Sequence, residues 1–289
     1  MLTRRRFLRA GVRVGTLGAA LSLGGTGYAA EIEPDWVEIE RIELKLKRLP
    51  RAFEGFRLAQ ISDIHIEGGD MAHRFAAVCD LVSAQNADAI ALTGDYSAYG
   101  GTWQGEALFQ GFRRLKAASG VFAVMGNHDH ARSGDADPQT GLGVVRGAFE
   151  RAGVIELPNR AVRLRRGTEN LWIAGLDDAM TGHADLAALE TQIPPGNAAI
   201  LLHHEPDFAD EFAPSGRFDL MLAGHSHGGQ IALPFFGPLR LPPFSEKYPR
   251  GLYQVGEMAL YTNRGLGTIA LPVRFCARPE ITIFSLKCG

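Results

Sequence analysis

Cysteine is scarce in this chain, which has three in 289 residues. So few thiols exclude a disulfide framework and a structural zinc site of the cysteine type. Cys79 lies among apolar residues at helical spacing, which is typical of a small buried side chain. For Cys276 and Cys288, the sequence leaves open whether they pair in an oxidising compartment.

Acidic residues are missing from the first 30 positions, which contain five arginines. The rest of the chain has 25 basic residues against 32 acidic ones, so its net charge is −7, compared with −2 for the whole sequence. Because such a balance does not predict a strongly basic face, we expect no nucleic-acid partner.

The N-terminal segment also lacks the ~20 consecutive apolar residues that a membrane-spanning helix needs. Arg4-Arg5-Arg6-Phe7-Leu8 precedes a stretch rich in glycine, alanine and leucine that ends at Gly27-Tyr28-Ala29. This order predicts an export signal, and its paired arginines resemble the twin-arginine signals that the Tat export machinery recognises. An uncleaved membrane anchor is the alternative interpretation.

The pattern divides the chain into three regions. Residues 1–30 are predicted to be the signal or anchor, residues 31–54 a linker with a first strand, and residues 55–289 one large domain. We accordingly expect the protein to be exported, to the periplasm or to the outer face of the cytoplasmic membrane.

Short apolar runs alternate with amphipathic segments in the first half of that domain. The predicted order is strand, helix, strand, helix, strand, helix, with the bounds Phe56–Ile61, Met71–Gln85, Asp88–Leu92, Glu106–Ala118, Val121–Met125 and Leu142–Arg151. The second half predicts a hairpin and buried strands, with the bounds Val162–Arg165, Leu171–Leu176, Ala198–Leu202, Leu220–Ala223, Met258–Thr262 and Ile281–Leu286. We therefore predict an α/β fold in which two sheets pack face to face and helices cover their outer sides.

Side chains that bind metal ions follow five of the predicted strands. The five tips are Asp63-Ile64-His65, Gly94-Asp95, Gly126-Asn127-His128-Asp129, His203-His204-Glu205-Pro206 and Gly224-His225-Ser226-His227. Binding sites in α/β folds form where strand ends converge, so these tips are expected to share one site.

Each tip has a simpler interpretation when it is taken alone. Asp63 and His65 fit a helix cap, Asp95 fits a β-turn, and a histidine after a buried strand is often a satisfied core residue. Neighbouring residues of an extended chain point to opposite sides, so only one of His203 and His204 can face a shared site. We assign His203 to the core.

Two aspartates, one asparagine and four histidines suffice for two adjacent metal ions. We predict that one ion binds Asp63, His65, Asp95 and His227, and that the other binds Asp95, Asn127, His204 and His225, with Asp95 as the bridge. Mixed carboxylate and imidazole ligands favour Mn, Fe or Zn over Mg or Ca. Two ions ~3.5–4 Å apart activate a shared water for attack at phosphorus, which predicts a metal-dependent hydrolase.

Two further residues of the third tip are candidates for catalysis. His128 lies beside the ligand Asn127 without being needed as a ligand, as expected of a general acid or a donor to the transition state. Asp129 is expected to orient the His128 imidazole through its other ring nitrogen.

The five tips, in this order, resemble the calcineurin-like metallophosphoesterase superfamily. The resemblance implies a four-layer α/β/β/α sandwich, a dinuclear metal centre and a bound hydroxide as the nucleophile. It implies the same seven ligands, with His128 as the phosphate-binding or acid residue, and it prefers His204 because His204-Glu205-Pro206 matches the family's ligand before x-Pro. The stretch Tyr96-Ser97-Ala98-Tyr99 departs from the Val-Asp-Arg-Gly of Ser/Thr protein phosphatases, so that activity is not expected.

Other segments resemble the exported bacterial phosphoesterases of the YkuE and YaeI type, and this resemblance covers nearly all of the chain after the signal. They include His227-Gly228-Gly229-Gln230, Gly251-Leu252-Tyr253, Gly265-Leu266-Gly267 and Arg278-Pro279-Glu280-Ile281. The resemblance implies hydrolysis of a phosphodiester or pyrophosphate bond in a phosphate-ester small molecule or a lipid substrate, and relatives there cleave UDP-2,3-diacylglucosamine. A non-catalytic metal-binding scaffold of the same fold is the alternative, and the complete ligand set argues against it.

Residues 231–243 (IALPFFGPLRLPP) form an apolar, proline-rich segment directly after the last two ligands. An exposed apolar loop beside a site is suited to accept an acyl chain or to contact a membrane surface. A loop packed on its own domain is the alternative. Arg240, Lys247 and Arg250 suit a phosphate or anionic headgroups, or are ordinary surface charges.

Overall fold

The computed structural model describes residues 25–97, 101–130 and 141–289. The predicted signal or anchor lies outside this part of the chain except for residues 25–30, which are helical. Among the described residues, no helix is both long enough and apolar enough to span a bilayer. Cys276 and Cys288 are free thiols, and Cys79 is buried, also unpaired.

After the helical residues at its start, the described chain contains fourteen strands and six α-helices, with short 3-10 helices between them. The strands are β1 (Glu38–Leu46), β2 (Arg57–Ile61), β3 (Ala89–Thr93), β4 (Val121–Val124), β5 (Ile155–Glu156), β6 (Arg160–Arg166), β7 (Glu169–Gly175), β8 (Ala198–Leu202), β9 (Leu220–Ala223), β10 (Ala232–Leu233), β11 (Gly237–Pro238), β12 (Gly251–Val255), β13 (Met258–Thr262) and β14 (Glu280–Cys288). The helices are α1 (Gly69–Ala84), α2 (Thr102–Phe112), α3 (Asn127–His130), α4 (Gly141–Ala152), α5 (Leu186–Glu190) and α6 (Ala209–Phe212).

Two six-stranded sheets form the centre of the molecule. The first has the order β1-β14-β2-β3-β4-β5, and its strands run parallel except at the antiparallel pair β14 and β2. The second has the order β12-β13-β9-β8-β7-β6, with a parallel centre and an antiparallel strand at each edge. The predicted hairpin is confirmed as the pair β6 and β7.

The sheets pack face to face because their strands are apolar on both sides. In β3, Ala89 and Ala91 face the other sheet, whereas Ile90 and Leu92 face the helices, as the two-residue period of a strand requires. Phe75, Phe112 and Phe149 from α1, α2 and α4 cover the first sheet, and Leu189 and Phe212 from α5 and α6 cover the second. The predicted four-layer α/β/β/α sandwich is confirmed.

Several elements differ from those predicted, among them one helix and strands β10, β11 and β12. Helix α2 starts and ends earlier than the predicted Glu106–Ala118, because the buried Leu115 continues the apolar pattern after the helical backbone has stopped. Strand β12 was not predicted, because an edge strand with half-exposed residues carries a weak apolar pattern.

Candidate metal centre

All seven predicted ligands lie just after strands whose carboxyl ends meet at one edge of the two sheets. Asp63 and His65 follow β2, Asp95 follows β3, Asn127 follows β4, His204 follows β8, and His225 and His227 follow β9. Six of them are buried, and Asn127 is half-buried. The fold therefore brings together residues that are up to 164 positions apart in the sequence.

Six of the ligands form two groups of three. Asp63, His65 and His227 make one group, and Asp95, His204 and His225 make the other, with the donor atoms of each group within 4.8 Å of one another. Asp95 Oδ2 also lies 3.5 Å from His65 Nε2 of the first group. The two groups match the predicted division of six of the ligands, and the bridging role of Asp95 stays a prediction.

The backbone at the site is strained. Asp63, His65, Asp95, His225 and His227 all have positive φ, at 50°, 46°, 57°, 69° and 52°. Residues other than glycine rarely adopt this left-handed conformation, and each instance costs free energy that the surrounding structure must offset. Five such residues at one place turn five side chains inward toward a common centre.

Glycine lets the strand tips approach each other closely. A Cβ atom added to Gly94, which has φ 97°, would lie 2.6 Å from His204 Nδ1 and 2.8 Å from the nitrogen of Gly126. Any side chain at Gly94 would therefore push the tip of β8 away from the tips of β3 and β4. The glycine before Asp95 is thus explained by packing within the site.

Hydrogen bonds fix which nitrogen two of the imidazoles present. The Nδ1–H of His204 donates to the Thr93 carbonyl at 2.7 Å, which leaves Nε2 facing Asp95 Oδ2 at 3.1 Å. The Nε2–H of His225 donates to the Pro243 carbonyl at 2.8 Å, which leaves Nδ1 3.2 Å from His204 Nε2. Carbonyl partners of this kind orient metal-binding histidines and keep the ligating nitrogen unprotonated.

Unsatisfied polar atoms at the centre fit bound cations. His65 Nε2 and His227 Nε2 lie 3.2 Å apart, and His227 Nε2 is 3.4 Å from Asp63 Oδ1. Asn127 Oδ1 is buried and accepts no hydrogen bond from the described residues. Nitrogen and oxygen atoms that converge in this way need a proton or a cation between them, so the donor set fits divalent metal ions.

Burial and ion pairing set the charges of the ligands. Burial alone opposes the charged forms of Asp95 and His204, but their close contact holds the pKa of Asp95 well below its usual value and raises that of His204. Burial, together with the neighbouring His65, lowers the pKa of His227 well below its usual value. Asp95 is thus charged, as a metal ligand must be, whereas the raised pKa of His204 means that its imidazole releases a proton when metal binds.

Asp129 has a task that the sequence did not predict. Its carboxylate accepts the backbone N–H groups of Asp95, Tyr96 and Gly126, each at 2.9 Å. Burial raises the pKa of Asp129 to about 6. The contacts hold the Asp95 loop against the tip of β4, and the orienting effect of Asp129 on the His128 ring stays a prediction.

His128 lies at the rim of the centre. Its backbone N–H donates to Asp95 Oδ1 at 2.9 Å, and its ring meets the His65 ring edge-on at a centroid distance of 5.0 Å. The half-buried ring also lines a cavity beside the ligands. This position suits a side chain that donates to a substrate oxygen.

Two cavities flank the centre and share a wall at Ala270 and Leu271. The first has a volume of about 420 Å³ and is mostly apolar, with His128, His227, Ile231, Leu241, Pro242 and Ile269 among its lining. The second, here called the polar cavity, has a volume of about 660 Å³ and a mixed lining, in which His65, Glu31, Glu67, Asp70 and Arg74 lie among apolar residues. The two cavities therefore adjoin the predicted ligands, the first at His227 and the second at His65.

Gln230 and Arg274 hold the wall between the cavities, and the sequence analysis assigned neither of them a role. The Gln230 side-chain amide donates to the carbonyls of Ile269 and Leu271, each at 3.1 Å, and Gln230 Oε1 accepts the N–H of Ile269 at 2.7 Å. The fully buried Arg274 guanidinium donates to the carbonyls of Gly267, Arg264 and Ala277. The sequence gives little indication that Arg274 is buried, because a single arginine in an irregular segment resembles a surface charge.

His203 belongs to the core. Its ring meets those of Phe208 and Phe212 edge-on at centroid distances of 5.8 and 5.0 Å, and its Nε2 lies 3.0 Å from Glu205 Oε2. It lies outside both ligand groups. The choice of His204 over its neighbour therefore agrees with the structure.

A second polar cluster follows β7. His130 Nε2 lies 2.8 Å from Asp177 Oδ1, and the His130 ring stacks on the His183 ring at 4.1 Å. Burial and the neighbouring Glu205 carboxylate raise the pKa of the nearby Asp178 to about 7. No pattern in the sequence indicates this cluster, because its members come from two loops that only the fold brings together.

Comparisons with known proteins agree with this geometry. Residues 56–229 match the family model described as calcineurin-like phosphoesterase. The chain is 36% identical to the uncharacterized metallophosphoesterase YkuE of Bacillus subtilis over 99% of its own length and 98% of the relative. It is 30% identical to phosphodiesterase YaeI of Escherichia coli, over 99% of this chain and 100% of the relative. It is 26% identical to the UDP-2,3-diacylglucosamine pyrophosphatase LpxG of Chlamydia trachomatis, over 90% and 92%.

Proposed function

The chain belongs to the calcineurin-like phosphoesterase family and is a metallophosphoesterase, and from that premise we propose that it hydrolyses a phosphodiester or pyrophosphate bond in a lipid-linked substrate. The observation that carries the proposal is the apolar cavity that opens beside His128 and His227. An apolar cavity next to a phosphoesterase centre suits a substrate that joins a phosphate to an acyl chain.

The residues of the centre divide the work. Two divalent ions, when bound, supply a water of lowered pKa and neutralise charge that develops on the phosphoryl oxygens. The seven ligands would hold those ions, with Asp95 shared between the groups. His128 would donate a hydrogen bond to a phosphoryl or leaving-group oxygen, because its ring borders both the ligands and the apolar cavity.

The two cavities suggest how the substrate lies. The apolar cavity would take the acylated substituent, and the polar cavity the other substituent. The chlamydial relative is named for an acylated nucleotide sugar, UDP-2,3-diacylglucosamine, which has this two-part chemistry. Carboxylates Glu31, Glu67 and Asp70 in the polar cavity disfavour a second substituent with extra negative charge, so a lipid-linked phosphate is preferred over a nucleotide sugar.

A matched substrate panel tests this proposal. The purified, Mn²⁺-loaded protein is given bis-p-nitrophenyl phosphate, p-nitrophenyl phosphate, a diacyl phosphodiester with its deacylated counterpart, and UDP-2,3-diacylglucosamine. We expect diesters to be cleaved faster than the monoester, and the acylated diester to have a lower KM than the deacylated one. Equal KM values for the last pair would contradict an acyl site, and hydrolysis of no ester by the metal-loaded protein would contradict the reaction itself.

We also propose that the enzyme works outside the cytoplasm, after export by the Tat machinery. The proposal is supported by Arg4-Arg5 before Phe7-Leu8 and by the absence of acids from the first 30 residues. In cells, the double variant Arg4→Lys, Arg5→Lys should retain the protein in the cytoplasm, whereas Arg13→Lys should not. Unchanged export of the double variant would contradict the Tat route.

A further inference from the structure

The hairpin of β10 and β11 carries two phenylalanines on its tip that are exposed in the part of the chain that the structure describes. Phe235 and Phe236 are 104% and 87% exposed, and Leu233 and Leu239 on either side are also exposed. Each strand of the hairpin is two residues long, so the hairpin has no apolar face of its own large enough to bury the rings. Adjacent, fully exposed aromatic rings are a known mark of an interaction surface.

The base of this hairpin, in contrast, is firmly held. Ala232 is buried and donates its N–H to the Phe275 carbonyl at 2.8 Å, while Ile231 pairs with Phe275 in a parallel bridge. The Leu239 N–H donates to the Ile231 carbonyl at 3.0 Å, which closes the hairpin. The base of the hairpin is therefore fixed to the domain close to the predicted ligand His227, and the tip projects from it.

The charge around the tip selects the partner. Residues 226–245 contain no acid, and the exposed Arg240 follows Leu239 directly. Exposed phenylalanines followed by a cation match the boundary of an anionic bilayer, where rings lie among the acyl chains and arginine lies among the headgroups. A protein partner would be expected to need polar groups around the rings, and this stretch supplies few.

The start of the described chain approaches the same place. The Tyr28 ring meets the Phe275 ring edge-on at 6.3 Å, and the Ala29 carbonyl accepts the N–H of Arg274 at 2.9 Å. The segment that precedes residue 25 contains five arginines and no acid. The N-terminal residues thus join the domain beside the residue that also holds the hairpin base, and both elements favour an anionic membrane.

We propose that the hairpin Leu233–Leu239, here called the Phe hairpin, docks the domain on an anionic lipid bilayer by inserting Phe235 and Phe236. The docked hairpin directs the mouth of the apolar cavity, which Leu239 lines, toward the lipid. Docking goes beyond the proposed hydrolysis, because it requires neither bound metal nor turnover.

Vesicle binding tests the proposal without reference to activity. The full chain and its variants are sedimented with vesicles of phosphatidylglycerol and phosphatidylcholine at 3:1, and with phosphatidylcholine alone. We expect binding to the anionic vesicles that falls about tenfold in the double variant Phe235→Ser, Phe236→Ser. Ile155→Ser is the matched control. Ile155 is also exposed, but its side chain lies beside Gly120 at the amino end of β4, whereas the predicted ligands follow the carboxyl ends of the strands. Asp95→Asn should bind like the wild type even where hydrolysis is lost.

A local probe separates the hairpin from the N-terminal segment. Tryptophan is placed at the tip by Phe235→Trp and at the control position by Ile155→Trp, and vesicles contain brominated acyl chains that quench inserted rings. We expect the difference spectrum against the wild type to show blue-shifted, quenched emission for the tip and none for the control. An unquenched tip in protein that still sediments would assign binding to the N-terminal segment alone and overturn the proposal, as would wild-type protein that binds neither vesicle.

Discussion

The backbone N–H of His225 donates to both carboxylate oxygens of Asp63, at 2.9 and 3.1 Å. Asp63 belongs to the first ligand group and follows a strand of the first sheet, whereas His225 belongs to the second group and follows a strand of the second sheet. One carboxylate therefore joins the two groups and the two sheets. Hydrogen bonds to a carboxylate that also binds metal orient it and tune its affinity.

Asp63→Ala should consequently lose both ions. The substitution removes one predicted ligand and frees the His225 loop, whereas Asn127→Ala removes only the neutral ligand that the sequence assigns to the second ion. We expect the metal content of Asp63→Ala to fall close to zero and that of Asn127→Ala to stay above one ion per chain, measured by elemental analysis after dialysis. Retention of one tightly bound ion in Asp63→Ala would show that the groups are independent.

His128→Gln should slow the reaction without removing metal. The side chain is placed to donate to substrate and is not needed as a ligand, so we expect kcat for bis-p-nitrophenyl phosphate to fall by about 10²–10⁴. Metal content should equal that of the wild type. Loss of an ion together with activity would instead make His128 a ligand.

Gln230→Ala should weaken binding of long substrates in particular. The substitution removes the hydrogen bonds to Ile269 and Leu271, each worth about 1 kcal/mol, and so loosens the wall between the cavities. We expect KM for an acylated diester to rise about tenfold while kcat for bis-p-nitrophenyl phosphate is unchanged. Gln254→Ala is the control, since its amide bonds only the nearby Gly256 carbonyl in the described chain. A similar loss of kcat/KM for both substrates would show that the substitution disrupts the whole site and not the cavity wall alone.

Asp178 should make the protein less stable as the pH rises toward neutrality. Burial first, and then the Glu205 carboxylate, raise its pKa from 3.8 to about 7 in the folded state. Because the folded state binds this proton more tightly than the unfolded state, protonation of Asp178 adds to the free energy of unfolding. The contribution, on the order of 2–4 kcal/mol, is complete below pH 4 and is lost as the pH rises through about 7.

The matching variant is Asp178→Asn, which cannot titrate. Between pH 5 and 8 its melting temperature should change less than that of the wild type, measured by thermal denaturation of the two proteins in the same buffers. Glu211→Gln, at an exposed position on α6, should follow the wild-type curve. If the melting temperatures of the wild type and Asp178→Asn changed equally with pH, Asp178 would be ruled out as the cause of the pH dependence.

Much of the fold was predictable because its signals are local. The buried strands β8 and β13 were predicted at their observed bounds, since their continuous apolar runs end in polar residues. Strand β12 was not, because its residues alternate between half-exposed and exposed, and pairing with β13 alone makes it a strand.

The predicted ligands can also be found from local sequence, whereas the residues that hydrogen-bond to the ligand loops cannot. Asp95 and His225 each follow a glycine at the end of an apolar run. A residue type that binds metal therefore occurs at a position where a strand is predicted to end. The bonds that Asp129 accepts from the Asp95 loop join segments 34 positions apart, and the bonds from Arg274 reach three carbonyls along an irregular stretch of chain. Such contacts depend on where the strands lie in space, and no spacing in the sequence encodes them.

Metal content of the wild type and of Asp95→Asn tests the dinuclear centre most directly. Asp95 lies in one ligand group and 3.5 Å from the other, so its carboxylate is needed for the pair of ions. We predict two ions per chain in the wild type, and at most one in Asp95→Asn together with loss of bis-p-nitrophenyl phosphate hydrolysis. Fewer than one ion in the wild type, or two ions retained in Asp95→Asn, would contradict a dinuclear centre bridged by this residue.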